Sequence, residues 1–421
     1  MGLKHAKHSV RLPLLIGTAA LAIVTASSAA SAADDQTMTI LAASETRTAL
    51  DAAAAAFEEA NPGVTISIEY TDESTLTSTL PTRLAAGNAP DLFTTWPGTY
   101  SALSAGELGR RGFAADLTDE PWAQDIPANF ADYVGADGKV YYAPLVSLSI
   151  LVMYNQTKLD ELGLEIPTTW DEVLAFCADA ADLGVTAYSL GAQTDWQNQF
   201  VPFVLAPTLV DRTDPTFLAD RAAGTSSFAE SGWLDVFAKE REMNDAGCFR
   251  SPLGTSWDIA NTQVASGQAL GLFGPSSTFG GLQAIATESE IVAAPLPATN
   301  DPDETWLAVA LGASLSVNAD ATDVDLAKSF VDFLMQPANA NAYAAASGQA
   351  PAIPNDAYVP APETGLQIEF GRAGKTGPVA DQLFPTPRVR DAWIATNQAM
   401  LAGDAQPIDV VSAMDEAWDN S

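Results

Sequence analysis

The sequence predicts an α/β fold on two observations. First, a buried strand over Met38 to Ala43, an alanine-rich helix over Thr46 to Ala60 and an alternating strand over Val64 to Tyr70 form one βαβ unit, which requires parallel strands. Second, a helix over Ser74 to Ala86 leads through a turn rich in Gly and Pro into a short strand over Asp91 to Thr94. Helices that alternate with short strands are typical of a parallel sheet covered by helices.

The same alternation resumes farther along the chain. A buried strand over Ile150 to Tyr154 precedes a helix that begins with a capping box, in which Thr169 is the N-cap and Glu172 follows three residues later. The other elements that we predict are strands over Ala187 to Leu190, Ala269 to Phe273 and Ile291 to Ala294, an amphipathic helix over Asp323 to Leu334, and a mostly helical segment from Arg388 to Trp418. We therefore expect two α/β lobes joined by strands that cross between them.

Residues 1–33 have the pattern of a cleaved signal peptide. Three basic residues precede an apolar run from Leu12 to Val24, and small residues follow up to Ala33. The run contains Pro13 and is shorter than the roughly 20 residues that span a bilayer, so a retained anchor is the weaker interpretation. No cysteine lies near the cleavage site to carry a lipid. We expect an exported protein, either periplasmic or extracellular.

Charge and residue content exclude several functions. The chain has 53 acidic and 19 basic residues, and loss of three basic residues with the signal would change the formal charge from −34 to −37, which repels nucleic acid and anionic membranes. His5 and His8 are the only histidines, and both precede the cleavage site. The mature chain would then lack a Ser-His-Asp or Cys-His arrangement and a histidine-bearing zinc site. We expect neither a metal nor a cofactor.

Cys177 and Cys248 are the only cysteines. An even pair in an exported chain indicates one disulfide. The alternative is two separate buried thiols, because Cys177 lies on the apolar stripe of a predicted helix.

Seven short motifs occur in an order that matches a known family. They are Phe57 to Val64, Ala86 to Leu92, Gly138 to Pro144, Tyr154-Asn155, Pro167 to Glu172, Ala269 to Pro275 and Ala327 to Leu334. With these motifs, essentially the whole mature chain resembles the extracellular solute-binding proteins that feed ABC importers, in the carbohydrate-binding branch typified by maltose-binding protein.

The resemblance implies a type II periplasmic-binding-protein fold, in which two lobes joined by crossover hinge strands enclose a ligand cleft. It implies an N-terminal lobe of residues 34–144 plus 313–347, a C-terminal lobe of residues 145–312 plus 348–421, and hinges near Pro144 and Gly312. It further implies a monomer, without enzymatic activity, that closes on a sugar or oligosaccharide. The protein would deliver that ligand to a membrane permease whose ATPase is a separate subunit.

A sugar presents C–H faces and hydroxyl groups, so its site needs flat aromatic side chains and short polar groups. By the resemblance, Ser44 and Glu45 after the first strand and Asp72 after the second would contact hydroxyl groups, and Trp96 and Tyr100 would stack on the sugar. Glu45 is acidic where the family often has a basic residue. The alternatives are that Ser44 or Thr46 caps a helix, that Asp72 lies in a loop with Ser74 as the cap, and that Trp96 packs between the lobes.

In the second lobe, the resemblance implies contacts from Trp196, Trp257, Ser276, Phe279 and Trp393. The family often has a tryptophan near Ser276, and its absence here suggests that Phe279 replaces it or that the site is smaller or more polar. Trp196 and Trp257 would otherwise be buried anchors.

Two other functions stay open from the residues alone. The same fold would suit a polyamine, a polyol or another small solute, and the acidic composition favours a cationic one. A secreted glycoside hydrolase needs only a pair of carboxyl groups beside aromatic subsites, and the many acidic residues leave such a pair available.

Overall fold

The computed structural model describes residues 36–421. The signal peptide predicted over residues 1–33 lies outside this range. No helix in the described range has both the length and the apolar character needed to cross a membrane.

The strands are β1 (Gln36–Ala43), β2 (Val64–Thr71), β3 (Leu92–Thr95), β4 (Gly135–Ala136), β5 (Lys139–Val140), β6 (Val146–Asn155), β7 (Thr186–Ser189), β8 (Ala269–Pro275), β9 (Ile291–Ala294), β10 (Leu307–Leu311), β11 (Ser314–Val317), β12 (Ala350–Pro351) and β13 (Thr376–Pro378).

The helices are α1 (Arg47–Ala60), α2 (Glu73–Ala85), α3 (Ala105–Arg110), α4 (Gln156–Leu162), α5 (Trp170–Asp182), α6 (Phe200–Ala206), α7 (Phe217–Ala222), α8 (Gly232–Asp245), α9 (Trp257–Ala265), α10 (Phe279–Ile285), α11 (Val324–Met335), α12 (Pro337–Ser347), α13 (Pro362–Arg372), α14 (Pro387–Ala402) and α15 (Pro407–Asp419).

The first sheet has four strands in the order β11-β3-β1-β2. Strand β1 is parallel to β2 and β3, which confirms the predicted βαβ unit, and β11 is antiparallel to β3. Helix α1 packs against α11, with the rings of Phe57 and Phe330 edge to face at 5.1 Å. We call this sheet, with α1, α2, α11 and α12, the first lobe.

The second sheet follows the order β13-β10-β6-β8-β7, and β9 and β12 also pair with β6. The long strand β6 is buried over most of its length and is antiparallel to β8, β9, β10 and β12. The predicted capping box at Thr169 and Glu172 is confirmed at the start of α5. Cys177 on α5 is bonded to Cys248, and both are buried. We call this sheet and the helices packed on it the second lobe.

The chain passes between the two sheets at three places. One lies before β6, where the Ala143 amide donates to the Leu315 carbonyl of the first sheet and Val146 begins the second. Another consists of Gly312 and the residue after it, which separate β10 from β11. The last connects α12 to β12. The Gly312 amide donates to the Val146 carbonyl at 3.0 Å, so two of the crossings are hydrogen-bonded to each other.

Candidate ligand-binding site

A cavity of about 480 Å³ lies between the two lobes. Its volume is in the range that holds a small organic ligand. Glu45, Glu73 and Trp96 reach it from the segments that follow β1, β2 and β3, because the carboxyl ends of parallel strands meet at one edge of a sheet. The second lobe contributes residues from the segment before α6, from the start of α9 and from around Asp381.

Aromatic side chains form much of the cavity wall. Trp96 and Tyr100 line it from the first lobe, and Trp196 and Trp257 line it from the second, all four half-buried. The rings of Trp196 and Trp257 lie 5.4 Å apart, and the Trp257 amide donates to Thr194 Oγ1 at the start of α9. Such faces can stack on the C–H faces of a ligand.

Two glutamates of the first lobe share the cavity. The side chains of Glu45 and Glu73 are exposed to the solvent in the cavity, but the cavity walls surround them. The walls reduce the hydration of the two carboxylates and so raise the pKa of both. The negative charge of Glu45 further raises the pKa of Glu73, whereas Arg390 opposes that rise. Within residues 36–421, neither glutamate has a cation within ion-pair distance.

A third carboxyl group, that of Asp381, comes from the second lobe. It is 4% exposed and accepts a hydrogen bond from Gln199 Nε2 at 3.0 Å, and Arg390 Nε lies 3.4 Å from the same oxygen. Burial raises the pKa of Asp381 to about 6, although Arg390 and Gln199 both oppose the rise. The Arg390 guanidinium also lies over the Tyr100 ring, 5.5 Å from its centroid.

The cavity brings together Glu45, Trp96, Tyr100, Trp196 and Trp257 from the set predicted to contact ligand. These residues come from both lobes and from loops far apart in sequence. Their role in binding stays a prediction.

The structure places the other first-lobe candidates elsewhere. Ser44 is exposed in a short turn and does not line the cavity. Asp72 is the N-cap of α2, with Oδ1 accepting from the Thr75 amide and Oδ2 from its hydroxyl. The cap predicted at Ser74 is therefore wrong by two residues, because the carboxylate of Asp72 already satisfies the free amides of the first turn.

The structure also places three second-lobe candidates outside the cavity lining. Ser276 is fully buried, and its Oγ accepts from the Ser149 amide at 3.3 Å, while the next two residues line the cavity instead. Phe279 packs its half-buried ring against a hydrophobic cluster and does not line the cavity. Trp393 is fully buried, with its ring 5.3 Å from that of Phe203, which itself lines the cavity. Trp393 therefore supports the wall from behind.

Sequence reasoning missed Glu73, Tyr343 and Asp381. Glu73 directly follows the predicted candidate Asp72, so the segment after the second strand does reach the cavity. Tyr343 reaches the cavity from α12, and Asp381 from the segment before α14; neither has a local pattern that indicates a site. Among residues 36–421, no group of three or more His, Cys, Asp or Glu side chains is arranged to hold a metal ion.

Residues 52–363 match the family model for bacterial extracellular solute-binding proteins. The chain belongs to this family. This solute-binding protein is similar to the multiple sugar-binding protein of Streptococcus mutans serotype c, with 27% identity over 140 residues, which are 33% of this chain and 32% of that relative. It therefore spans about a third of that relative's length. It is also similar to the melibiose/raffinose/stachyose-binding protein MelE of Bacillus subtilis, with 22% identity over 375 residues, 85% of this chain and 82% of MelE.

The fold has close counterparts among solved structures. The structure of RafE in complex with raffinose aligns with a TM-score of 0.74 and 18% identity, covering 91% of this solute-binding protein and 99% of RafE. A family 1 extracellular solute-binding protein from Bifidobacterium longum subsp. infantis aligns with a TM-score of 0.70 and 23% identity, covering 92% and 100% of the two chains. These likenesses confirm the predicted type II periplasmic-binding-protein fold.

Proposed function

We propose that this solute-binding protein captures a sugar or an oligosaccharide in the cavity between its lobes. The observation that carries the proposal is the pairing of half-buried aromatic side chains from both lobes, Trp96 and Tyr100 with Trp196 and Trp257, around a space of about 480 Å³. Carboxylate and amide side chains line the same cavity, and their oxygens can accept hydrogen bonds from hydroxyl groups. The similarity to proteins named for binding multiple sugars, or melibiose, raffinose and stachyose, supports the same class of ligand.

The lobes would close on the ligand by bending at the crossings near Pro144 and Gly312. The N-terminal lobe would consist of residues 34–144 plus 313–347, and the C-terminal lobe of residues 145–312 plus 348–421. Ligand favours closure only through its higher affinity for the closed state. Contacts from both lobes supply that difference, because a ligand held by one lobe alone would gain nothing from closure. Ser44, Asp72 and the other candidates outside the cavity have no part in this proposal.

The ligand would then pass to an ABC permease, with ATP hydrolysed by a separate subunit. We propose that the protein acts after export, as the family description of its members as extracellular supports. Incubation with oligosaccharides should release no new reducing ends, since the protein would bind without turnover. Release of reducing ends would favour a glycoside hydrolase.

A thermal-shift screen of sugars and oligosaccharides tests the proposal, because a ligand that binds only the folded state raises the melting temperature. We expect Trp96→Ala to weaken the affinity for the best ligand about tenfold or more through loss of a stacking face. Trp306→Ala is the matched control, because Trp306 is half-buried outside the cavity. Absence of a shift with every carbohydrate, or equal affinities of the two variants, would contradict the proposal.

A further inference from the structure

The charges that line the cavity are unbalanced. Glu45, Glu73 and Asp381 line it, whereas Arg390 is the only lysine or arginine to do so among residues 36–421. Arg390 lies beside Asp381 and attracts Glu73 from beyond ion-pair distance, so within the described residues neither glutamate has a cation in direct contact. The carboxylate of Asp195 also acts on Glu73 from the second lobe.

An independent observation comes from buried oxygens without donors. Within the described part of the chain, Asp381 Oδ1, Gln382 Oε1 and Gln349 Oε1 are buried atoms without a hydrogen-bond partner, and all three residues line the cavity. Asp381 and Gln382 are 4% and 8% exposed. The side-chain nitrogen of Gln382 donates to the Leu311 carbonyl at 3.5 Å, so the oxygen is the part of this side-chain amide that lacks a partner. A buried acceptor without a donor is costly, and a ligand that carries several donors would remove that cost.

The aromatic walls fit a cation as well as they fit a sugar. The face of a tryptophan ring attracts an ammonium group, most strongly where water is excluded. Trp96, Trp196 and Trp257 line the same space as the two glutamates. A neutral ligand would leave the repulsion between Glu45 and Glu73 in place, and an anionic ligand would add to it.

We propose that the preferred ligand is a saccharide that carries a protonated amine, with the ammonium group held by Glu45 and Glu73 of the first lobe. The hydroxyl groups donate to the oxygens of Asp381 and Gln382, and the sugar faces stack on the tryptophans. This inference rests on the proposed function, since it specifies the saccharide that the same cavity takes. It differs from capture of a free polyamine, which offers no hydroxyl groups and no flat C–H face.

Paired ligands provide the test. Neutral mono- and disaccharides are titrated calorimetrically into the full mature protein, each beside the same sugar with one hydroxyl group replaced by an amine, and spermidine is titrated separately. We expect the tightest ligand to be an amine that binds at least tenfold more tightly than its neutral twin. That preference should shrink at high salt, because screening weakens the attraction between charges. In the double variant Glu45→Gln/Glu73→Gln, the ratio of the two affinities should fall to about one.

The matched control is Glu59→Gln/Glu288→Gln, which removes two exposed carboxylates outside the cavity and should keep the full preference. Neutral sugars that bind as tightly as their amine twins would overturn this inference and leave the proposed function standing. A preference for the amine that survives in Glu45→Gln/Glu73→Gln would also overturn it. Binding of spermidine alone, or of nothing in the set, would reject both the inference and the proposed function.

Discussion

Glu240 on α8 provides a test of the packing of the second lobe. Its side chain is fully buried, with Oε1 accepting from Asn397 Nδ2 at 3.3 Å, and Oε2 has no hydrogen-bond partner within residues 36–421. Burial raises the pKa of Glu240 from 4.5 to about 8. The folded protein therefore holds a proton on Glu240 over a pH range in which the unfolded chain has released it.

The sign of the effect on stability follows directly. Because the pKa of Glu240 is raised on folding, its contribution is complete below about pH 4.5 and is lost as the pH rises towards 8. Each pH unit inside this window costs about 1.4 kcal/mol, and the loss between about pH 5 and pH 8 comes to roughly 3.5 kcal/mol. Glu240→Gln keeps the shape and stays neutral, so its free energy of unfolding should lack this loss.

The measurement is urea unfolding of the wild type and Glu240→Gln at several pH values across this window. We expect the variant to gain roughly 3.5 kcal/mol over the wild type between about pH 5 and pH 8, because other titrating groups cancel in the difference. Glu59→Gln, at an exposed position on α1, should follow the wild type throughout. Parallel curves for the wild type and Glu240→Gln would refute the reasoning from burial.

Three further predictions concern stability and use the same unfolding assay. Cys177→Ala/Cys248→Ala removes a disulfide whose cysteines are 71 residues apart, and in the chain-entropy model this should lower the free energy of unfolding by about 4.4 kcal/mol. A decrease of less than about 1 kcal/mol would contradict this prediction. Asp91→Ala leaves two backbone amides without an acceptor and should cost on the order of 3 kcal/mol, which a neutral result would disprove. Gly98 has φ +71°, and an added Cβ would lie 1.7 Å from the Gln382 carbonyl oxygen, so Gly98→Ala should lower the free energy of unfolding by several kcal/mol. Gly112 has a similar φ of +75° but open space around it, so Gly112→Ala should cost only about 1 kcal/mol. Equal costs for the two glycine variants would show that the contact with Gln382 does not matter.

The elements that local patterns specify were predictable from the sequence. The alternation in β2, the capping box of α5 and the apolar stripe of α11 each depend on residues within one or two turns of chain. Strands β10 and β11 were missed, although both are largely buried. Both strands are short and only two residues separate them, so neither is long enough to show a clear alternation of apolar and polar residues. Each forms a strand because it pairs with a different sheet in the folded protein.

The candidate site was predictable to a similar extent. Trp96 follows a strand, and the rule that ligands gather at the carboxyl ends of parallel strands is enough to propose it. Glu45 could be proposed only from the family resemblance. Trp393 packs behind Phe203 and does not line the cavity as predicted. The sequence around an aromatic residue does not show whether its ring faces the cavity or the hydrophobic core next to it. Asp381 was missed because its place beside Arg390 depends on where the last third of the chain folds back.

The crossing between β10 and β11 has a consequence for biosynthesis. Strand β11 closes the first sheet against β3, yet Ser314 emerges from the ribosome about 220 residues after Thr95, which at ordinary translation rates of 5–20 residues per second takes roughly 10 to 45 s. During that time the edge of β3 has no partner, and an open strand edge is a template for aggregation. The first lobe is thus the first to be begun, but its sheet is completed only after strands β6 to β10 of the second lobe have been made. A chain with this order of strands depends on being kept from premature pairing until most of it has been synthesised.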